Sequence, residues 1–184
     1  MNKKIYFVSG VSGVGKTSTM EHLKKFLPES NFDIRDFDER GVPDGGGPIW
    51  HKQETANWLE VGKVNAKEDK STVICGFNEP ERIRAVWNEA YPETELILLN
   101  ASGDVIRRRL LGRYPTKESE KEIERAAGKP LKEFAEECAA FAPILRDKFA
   151  LEGCKIIDTD TKNPEEVAME VANHILNKSQ WINS

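Results

Sequence analysis

The stretch GVSGVGKTST, residues 10–19, joins the apolar run KIYFVSG, residues 4–10, to a helical pattern. From Gly10 to Thr17 it matches G-x-x-x-x-G-K-[ST] at every defined position. Glycines allow the backbone to curl so that successive N–H groups point inward, and the N-terminus of the following helix adds partial positive charge. The stretch therefore predicts a strand, a phosphate-binding loop and a helix.

The motif assigns roles within this loop. Lys16 is expected to reach the β- and γ-phosphates of a nucleotide, and the hydroxyl of Thr17 is expected to bind Mg²⁺. ATP and Mg²⁺ are thus the predicted cofactors. A glycine turn that merely joins a strand to a helix is the alternative, and the complete motif in its expected setting argues against it. The predicted ATP-binding residues of the loop are Gly10, Val11, Ser12, Gly13, Val14, Gly15, Lys16, Thr17 and Ser18.

Length and composition describe an ordinary globular chain. The 184 residues, 32% of them charged and 39% hydrophobic, suit one domain over residues 1–184. The net charge of −4 argues against a general nucleic-acid or anionic-membrane surface. No apolar run approaches the roughly 20 residues of a membrane span. Three cysteines without metal-ligand spacing are interpreted as reduced thiols of a cytoplasmic protein. The protein is expected to be a monomer or a homodimer.

Apolar runs alternate with helical patterns along the chain. This alternation predicts an α/β fold with three layers, α/β/α, around a five-stranded parallel sheet. Ligands of such sheets bind outside the carboxyl ends of the strands. After the first strand, the predicted strands are 31–38, 71–77, 95–101 and 154–160, and the predicted helices are about 15–26, 48–64, 80–90, 102–113, 131–149 and 164–177.

The phosphate loop alone does not separate nucleotide switches, motors and kinases. A guanine-specific switch needs an N-K-x-D segment, but Asn177-Lys178 is followed by Ser179 and Gln180. An apolar run that ends in paired acids, usual in motor ATPases, is also missing. These absences favour a small kinase.

Four features together resemble the adenylate-kinase and shikimate-kinase group of small-molecule kinases. They are the phosphate loop, DFD at residues 36–38, VICGF at 73–77 and LILLNASGDVIRRRLLGR at 96–113. The resemblance extends over nearly the whole chain. It implies a P-loop kinase that transfers the γ-phosphate of ATP to a small-molecule acceptor, and it does not name the acceptor.

Asp36 and Asp38 alternate by two, so on a strand their side chains project from the same face. The resemblance implies that Asp36 supports the Mg²⁺ ion and that Asp38 orients or deprotonates an acceptor hydroxyl. Phosphoryl transfer needs in-line positioning and charge neutralisation more than a strong base. A solvated acidic turn is the alternative.

Arg109 and Arg113 are four residues apart and share a helix face. The resemblance implies that Arg113 stabilises charge on the transferred group and that Arg109 contacts the base or a phosphate. It also implies a mobile lid at about 113–130 and an adenine pocket that includes Thr159. A basic surface face is the alternative for the arginines.

Two positions depart from the adenylate-kinase pattern, in which the third strand ends in Asp-Gly-Phe-Pro-Arg. Cys75 replaces the acid and Glu79 replaces the arginine that grips the acceptor. Glu79 would repel a monophosphate acceptor, unless Arg82 or Arg84 compensates.

The segment at about 41–66 is expected to cover the acceptor. Trp50 and Trp58, eight residues apart, either stack on a ring of the acceptor or pack in the core. The favoured acceptor is a hydroxyl compound such as a nucleoside, sugar or sugar acid. The alternatives are a nucleoside or deoxynucleoside monophosphate kinase and a nucleotide-binding regulatory protein with slow hydrolysis.

Overall fold

A computed structural model describes residues 3–43 and 46–180, which contain five strands and seven helices. Among these residues, no helix combines the length and the apolar character that crossing a bilayer requires. The strands are β1 (Ile5–Ser9), β2 (Phe32–Asp36), β3 (Ser71–Cys75), β4 (Thr94–Asn100) and β5 (Lys155–Asp158). The helices are α1 (Lys16–Phe26), α2 (Pro48–Lys67), α3 (Pro80–Arg84), α4 (Gly103–Arg113), α5 (Lys117–Ala127), α6 (Leu131–Leu151) and α7 (Pro164–Gln180).

The strands form one parallel sheet in the order β2-β3-β1-β4-β5, which confirms the predicted three-layer α/β/α fold. Every residue of β1 and β3 is buried, as expected for strands covered by helices on both faces. Because β1 has β3 on one side and β4 on the other, the chain leaves it at the point where the strand order changes direction. The phosphate loop follows β1 and therefore opens into a crevice at the carboxyl edge of the sheet.

Two groups of buried side chains fill the space between the layers. The larger one packs the sheet against α1, α4, α6 and α7, and the smaller one lies beneath α2. Trp58 belongs to the smaller group, and only 2% of it is exposed. Of the two alternatives for Trp58, the structure thus shows core packing.

Helix α3 is shorter than the sequence predicts, because it ends at Arg84 instead of about residue 90. The Asn88 side chain accepts a hydrogen bond from the Ala90 backbone N–H, and the Trp87 indole N–H donates to the Pro92 carbonyl. Local side-chain bonds of this kind compete with helical hydrogen bonds, so the segment turns instead of continuing α3.

Helix α5 lies within the expected lid at about 113–130, where the sequence did not predict a helix. Thr116 and Ser119 cap its N-terminus reciprocally, and Gly128 takes a left-handed conformation at its C-terminus. None of its residues is buried. Start and stop signals therefore define this helix even though it has no buried face.

Candidate functional site

The loop between β1 and α1 is tightly curled against the fold. A Cβ atom at Gly10 would lie 2.5 Å from the Leu99 carbonyl oxygen, so no larger residue fits there. Gly15 precedes α1 with a φ of 101°, which side-chain-bearing residues rarely adopt. This backbone directs the first N–H groups of α1 toward the crevice, where an anion is favoured.

A cleft of about 670 Å³ lies above the loop at the carboxyl edge of the sheet. It brings most of the residues that the sequence analysis singled out into one place. Gly10 and Val11 are buried beneath it and do not line it. The lining includes residues 12–19, Asp36, Asp38, Gly76, Arg109, Arg113, Thr159 and Lys162.

The Lys16 ammonium group is held at the base of the cleft. It donates hydrogen bonds to the carbonyl oxygens of Gly10, at 2.9 Å, and Val11, at 3.0 Å. Burial lowers the pKa of Lys16 to about 8, although the charges of Asp38 and Asp36 act in the opposite direction. A cation that has lost hydration in this way is ready to interact with an anionic ligand.

The two acids are joined by a local turn. Strand β2 ends at Asp36, and the backbone N–H of Asp38 donates to the Asp36 Oδ1 atom at 2.9 Å. Burial and the Asp36 charge raise the pKa of Asp38, while Lys16 lowers it. This turn, and not simple alternation along a strand, thus places both carboxylates in the cleft. A carboxylate with a raised pKa beside a buried lysine is typical of functional sites.

Phe37 anchors the turn between the two acids. Its backbone N–H donates to the Cys75 carbonyl at 2.9 Å, and its carbonyl accepts the Trp58 indole N–H at 3.0 Å. Its side chain is fully buried against Gly76, where an added Cβ atom would lie 2.1 Å from the Phe37 Cβ. Gly76 therefore makes room for Phe37, and Phe37 fixes the acids on either side of it.

The two arginines of α4 differ in their contacts. Arg109 Nη1 donates to the Thr159 hydroxyl at 2.9 Å, and Nη2 donates to the Thr159 carbonyl at 2.7 Å. The Thr159 hydroxyl in turn donates to the Val14 carbonyl at 3.2 Å. Arg109 thereby ties α4 to the segment after β5 and to the phosphate loop. Arg113 also lines the cleft, with its guanidinium carbon 5.7 Å from the centre of the Tyr114 ring.

Glu79 lies in an ion-pair cluster beside the cleft. Its carboxylate accepts hydrogen bonds from Arg82, at 2.7 Å, and from Lys148. Burial acts to raise the pKa of Glu79, but the hydrogen bonds from Lys148 and Arg82 outweigh it, so the pKa is lowered. Arg84 instead pairs with Glu152 and is largely exposed. Of the two arginines expected to compensate for Glu79, Arg84 is thus paired elsewhere and Arg82 is paired with Glu79 itself.

A row of aromatic side chains, which we call the aromatic wall, was not predicted from the sequence. It consists of Trp50, His51, Phe77 and Phe141, with successive ring centres 4.8, 5.8 and 6.2 Å apart. His51 also stacks on Phe37, with ring centres 5.6 Å apart and planes 22° apart. Burial and the nearby Arg82 charge lower the pKa of His51 to about 4, so its ring is neutral at neutral pH. Trp50 lies at the rim of the small core and belongs to this wall.

The residues of the cleft fit a magnesium–nucleotide complex. The described residues contain no cluster of three or more His, Cys, Asp or Glu side chains suited to a metal. Mg²⁺ does not require one, because it keeps several waters and is bound by one or two protein oxygens and by substrate phosphates. Thr17 and Asp36 offer such oxygens on one wall of the cleft. Cys75 is buried and its pKa is raised to about 12 by that burial, so its thiol does not replace the missing acid.

Comparison with solved structures relates the whole chain to P-loop kinases. Shikimate kinase from Acinetobacter baumannii, solved with shikimate, is 16% identical, has a TM-score of 0.61, and matches over 97% of this chain and 95% of its own. A sugar kinase from Janibacter sp. HTCC2649 is 18% identical with a TM-score of 0.54, over 99% of both chains. Shikimate kinase from Aquifex aeolicus is 16% identical with a TM-score of 0.50, over 96% and 98%.

At these identities the likeness shows the fold alone. Neither a scan against models of protein families nor a search of curated proteins finds a match. The chain therefore has the fold of P-loop kinases, and any more specific function has to be argued from the cleft itself.

Proposed function

We propose that the chain is an ATP- and Mg²⁺-dependent phosphotransferase that moves the γ-phosphate to a hydroxyl of a small molecule. One observation carries this proposal: Asp38 shares a cleft with Lys16 and the phosphate loop, and its pKa is raised. A carboxylate so placed is suited to accept the proton of a hydroxyl that attacks the terminal phosphate. A loop that only held a nucleotide would not need it.

Each part of the cleft has a role in this reaction. Bound ATP supplies the phosphoryl group, and Mg²⁺ neutralises part of its charge. Lys16 stabilises negative charge at the base of the cleft, and Thr17 and Asp36 provide oxygens for the metal. Asp38 orients the acceptor hydroxyl and accepts its proton. Arg113 faces the same space and is suited to bidentate contact with the transferred group.

The pairing of Glu79 favours a hydroxyl acceptor over a nucleoside monophosphate. Glu79 stands where the resembled kinases have the acceptor-gripping arginine, and Arg82 and Lys148 both bind its carboxylate. Releasing either of them for a phosphate would leave the largely buried carboxylate with one partner fewer, which is costly. Arg84 is outside this cluster.

ATP consumption by the purified protein, measured against a panel of nucleosides, sugars, sugar acids and nucleoside monophosphates, tests the proposal. We expect stimulation by a hydroxyl compound, and we expect Asp38→Asn to lower kcat by about 100-fold while the KM for ATP changes little. The control is Asp104→Asn on the outer surface of α4, which should retain full turnover.

Two results would contradict the proposal. Stimulation by a monophosphate alone would indicate a nucleotide kinase. Tight binding of Mg–ATP with slow hydrolysis and no stimulation by any acceptor would indicate a regulatory protein.

A further inference from the structure

A second cavity, which we call the ring pocket, opens beside the nucleotide cleft. Its volume is about 300 Å³, at the lower end of the range for ligand pockets. Its lining consists of Val11 and Ser12 of the phosphate loop, Phe77 after β3, and Phe134, Glu137, Cys138 and Phe141 of α6. Three aromatic rings from two distant segments of the chain thus surround a space at the edge of the phosphate loop.

The ring pocket and the nucleotide cleft are adjoining spaces. Ser12 lines both of them. Gly76 lines the cleft and the next residue, Phe77, lines the ring pocket. A molecule that fills the ring pocket therefore lies next to the part of the cleft lined by Ser12 and Gly76, and Gly76 packs against Phe37, which precedes Asp38.

The charges around the ring pocket largely cancel. Glu137 in its lining pairs with Lys129 at 2.7 Å. Arg82 lies over Phe77, with 5.4 Å from its guanidinium carbon to the ring centre, and Lys148 lies 5.9 Å from the centre of Phe141. Both cations bind Glu79, whose side chain is only 9% exposed, and Lys148 also approaches the carboxylate of Glu81 at 3.6 Å. An anionic ligand would have to compete with these carboxylates for the cations.

From these features we infer that the acceptor is an uncharged hydroxyl compound that carries a planar ring. Its ring occupies the ring pocket against Phe77 and Phe141, and its hydroxyl points toward Asp38. The acceptor oxygen then bonds to the γ-phosphorus as the bond to the departing ADP oxygen breaks, and Asp38 takes the hydroxyl proton and passes it to solvent. This inference rests on the proposed function and excludes sugar acids and nucleoside monophosphates from it.

Calorimetric titration in the presence of Mg²⁺ and ADP tests the inference without requiring turnover. The probes are adenosine, uridine and thymidine, each paired with its 5′-monophosphate, and a sugar acid such as gluconate. We expect at least one nucleoside to bind at least tenfold more tightly than its monophosphate and than gluconate. A monophosphate or gluconate that binds more tightly than every nucleoside, or the absence of nucleoside binding, overturns the inference.

Glu79→Gln tests whether the Glu79 carboxylate excludes anionic acceptors, because its loss should increase the affinity for a monophosphate. The substitution releases Arg82 and Lys148, so the ratio of monophosphate to nucleoside affinity should rise at least tenfold. Glu152→Gln is the matched control, because it releases Arg84 on the outer surface and should leave the ratio within twofold. An unchanged ratio in Glu79→Gln refutes the role of the carboxylate in excluding anions.

Phe141→Ala tests the stacking surface. It should weaken nucleoside binding at least tenfold, whereas Ile144→Ala, on a largely exposed position of the same helix, should change it less than twofold. Phe141→Leu keeps a bulky apolar side chain without the aromatic ring and should also weaken binding. Thermal melts establish that each variant is folded. Full affinity in both Phe141 variants overturns the inference.

The outcomes separate this inference from the proposed function. Phosphorylation of a sugar acid supports the proposed function and overturns the uncharged acceptor, whereas phosphorylation of a monophosphate alone overturns both. Phe141-dependent binding of a nucleoside without any phosphorylation supports the ring pocket and overturns the phosphotransferase.

Discussion

Replacement of Gly76 by alanine is expected to damage both the stability of the fold and the placement of the two acids. The added Cβ would lie 2.1 Å from the Phe37 Cβ and 3.3 Å from the Phe37 Cα. Neither atom is the end of a flexible side chain, so the backbone of the turn has to move. Overpacking a filled core costs about 1–3 kcal/mol, and the contact with backbone puts this case near 3 kcal/mol.

This cost translates into a measurable change in melting temperature. For a chain of this size, about 1 kcal/mol corresponds to 2–4 °C, so Gly76→Ala should melt about 6–12 °C below the parent in a circular-dichroism scan. Gly112→Ala is the matched control, because no atom lies within 4 Å of an added Cβ in this exposed part of α4. Alanine is the better helix former, so that variant should gain up to about 1 kcal/mol.

The functional part of the same prediction concerns Phe37. A displaced Phe37 shifts Asp36 and Asp38 but leaves the phosphate loop in place, so turnover should fall more than the affinity for Mg–ATP. If Gly76→Ala melts within about 2 °C of the parent, which is less than about 1 kcal/mol, the close packing of Gly76 on Phe37 is refuted. Parental turnover in a variant that is destabilised as expected would refute the link between Phe37 and the acids.

Three further predictions follow from the cleft and its surroundings. Burial lowers the pKa of Lys16 to about 8, so about half of the lysine is uncharged at pH 8. Mg–ATP binding at this pH should therefore take up about half a proton, as measured by calorimetry in buffers of different ionisation enthalpy. Lys16→Met should abolish the uptake. The pKa of Glu79 is depressed in the folded state, so its stabilising contribution is present above the unfolded pKa of about 4.3 and is lost as the pH falls through the folded value. The difference in free energy of unfolding between the parent and Glu79→Gln, measured in urea, should therefore shrink on acidification from pH 7 to pH 3, and a constant difference would contradict the ion pairing. Arg113→Ala should lower turnover more than tenfold and change ATP affinity less than threefold. Arg109→Ala should instead weaken ATP binding, because Arg109 holds Thr159 and the loop. Similar effects of the two substitutions on ATP affinity would contradict these separate roles.

The sequence predicts those features that neighbouring residues determine. The G-x-x-x-x-G-K-[ST] motif and the alternation of apolar strands with helices are local patterns, and they led to the correct sheet and layers. Helix α5 was missed for a related reason. Its caps are present in the sequence, but Ile123 is the one large apolar side chain among its eleven residues, so few apolar positions indicate a helix.

Features that depend on distant contacts were not predictable in the same way. Lys148 is 69 residues from Glu79, and no local pattern indicates that an α6 lysine neutralises a carboxylate after β3. Trp50 and Trp58 share a helix face by spacing, yet only Trp58 is buried in the core, whereas Trp50 packs at its rim. The aromatic wall likewise assembles from α2, the segment after β3 and α6.

The ion pairs of Glu79 suggest how proteins of one fold can select acceptors of different charge. In the proposed reaction, Lys16, the loop backbone and the acids act on the phosphoryl group and the reacting hydroxyl, which are common to every acceptor in this class of reaction. In the inferred binding mode, the remainder of the acceptor meets Phe77, Phe141 and the cations that Glu79 holds. A buried carboxylate at this position pairs with two cations that would otherwise attract an anionic acceptor. Removal of the carboxylate frees both cations. Specificity for acceptor charge is therefore separable from phosphoryl transfer in this chain, and a single substitution at Glu79 should change the first while leaving Lys16 and Asp38 in place.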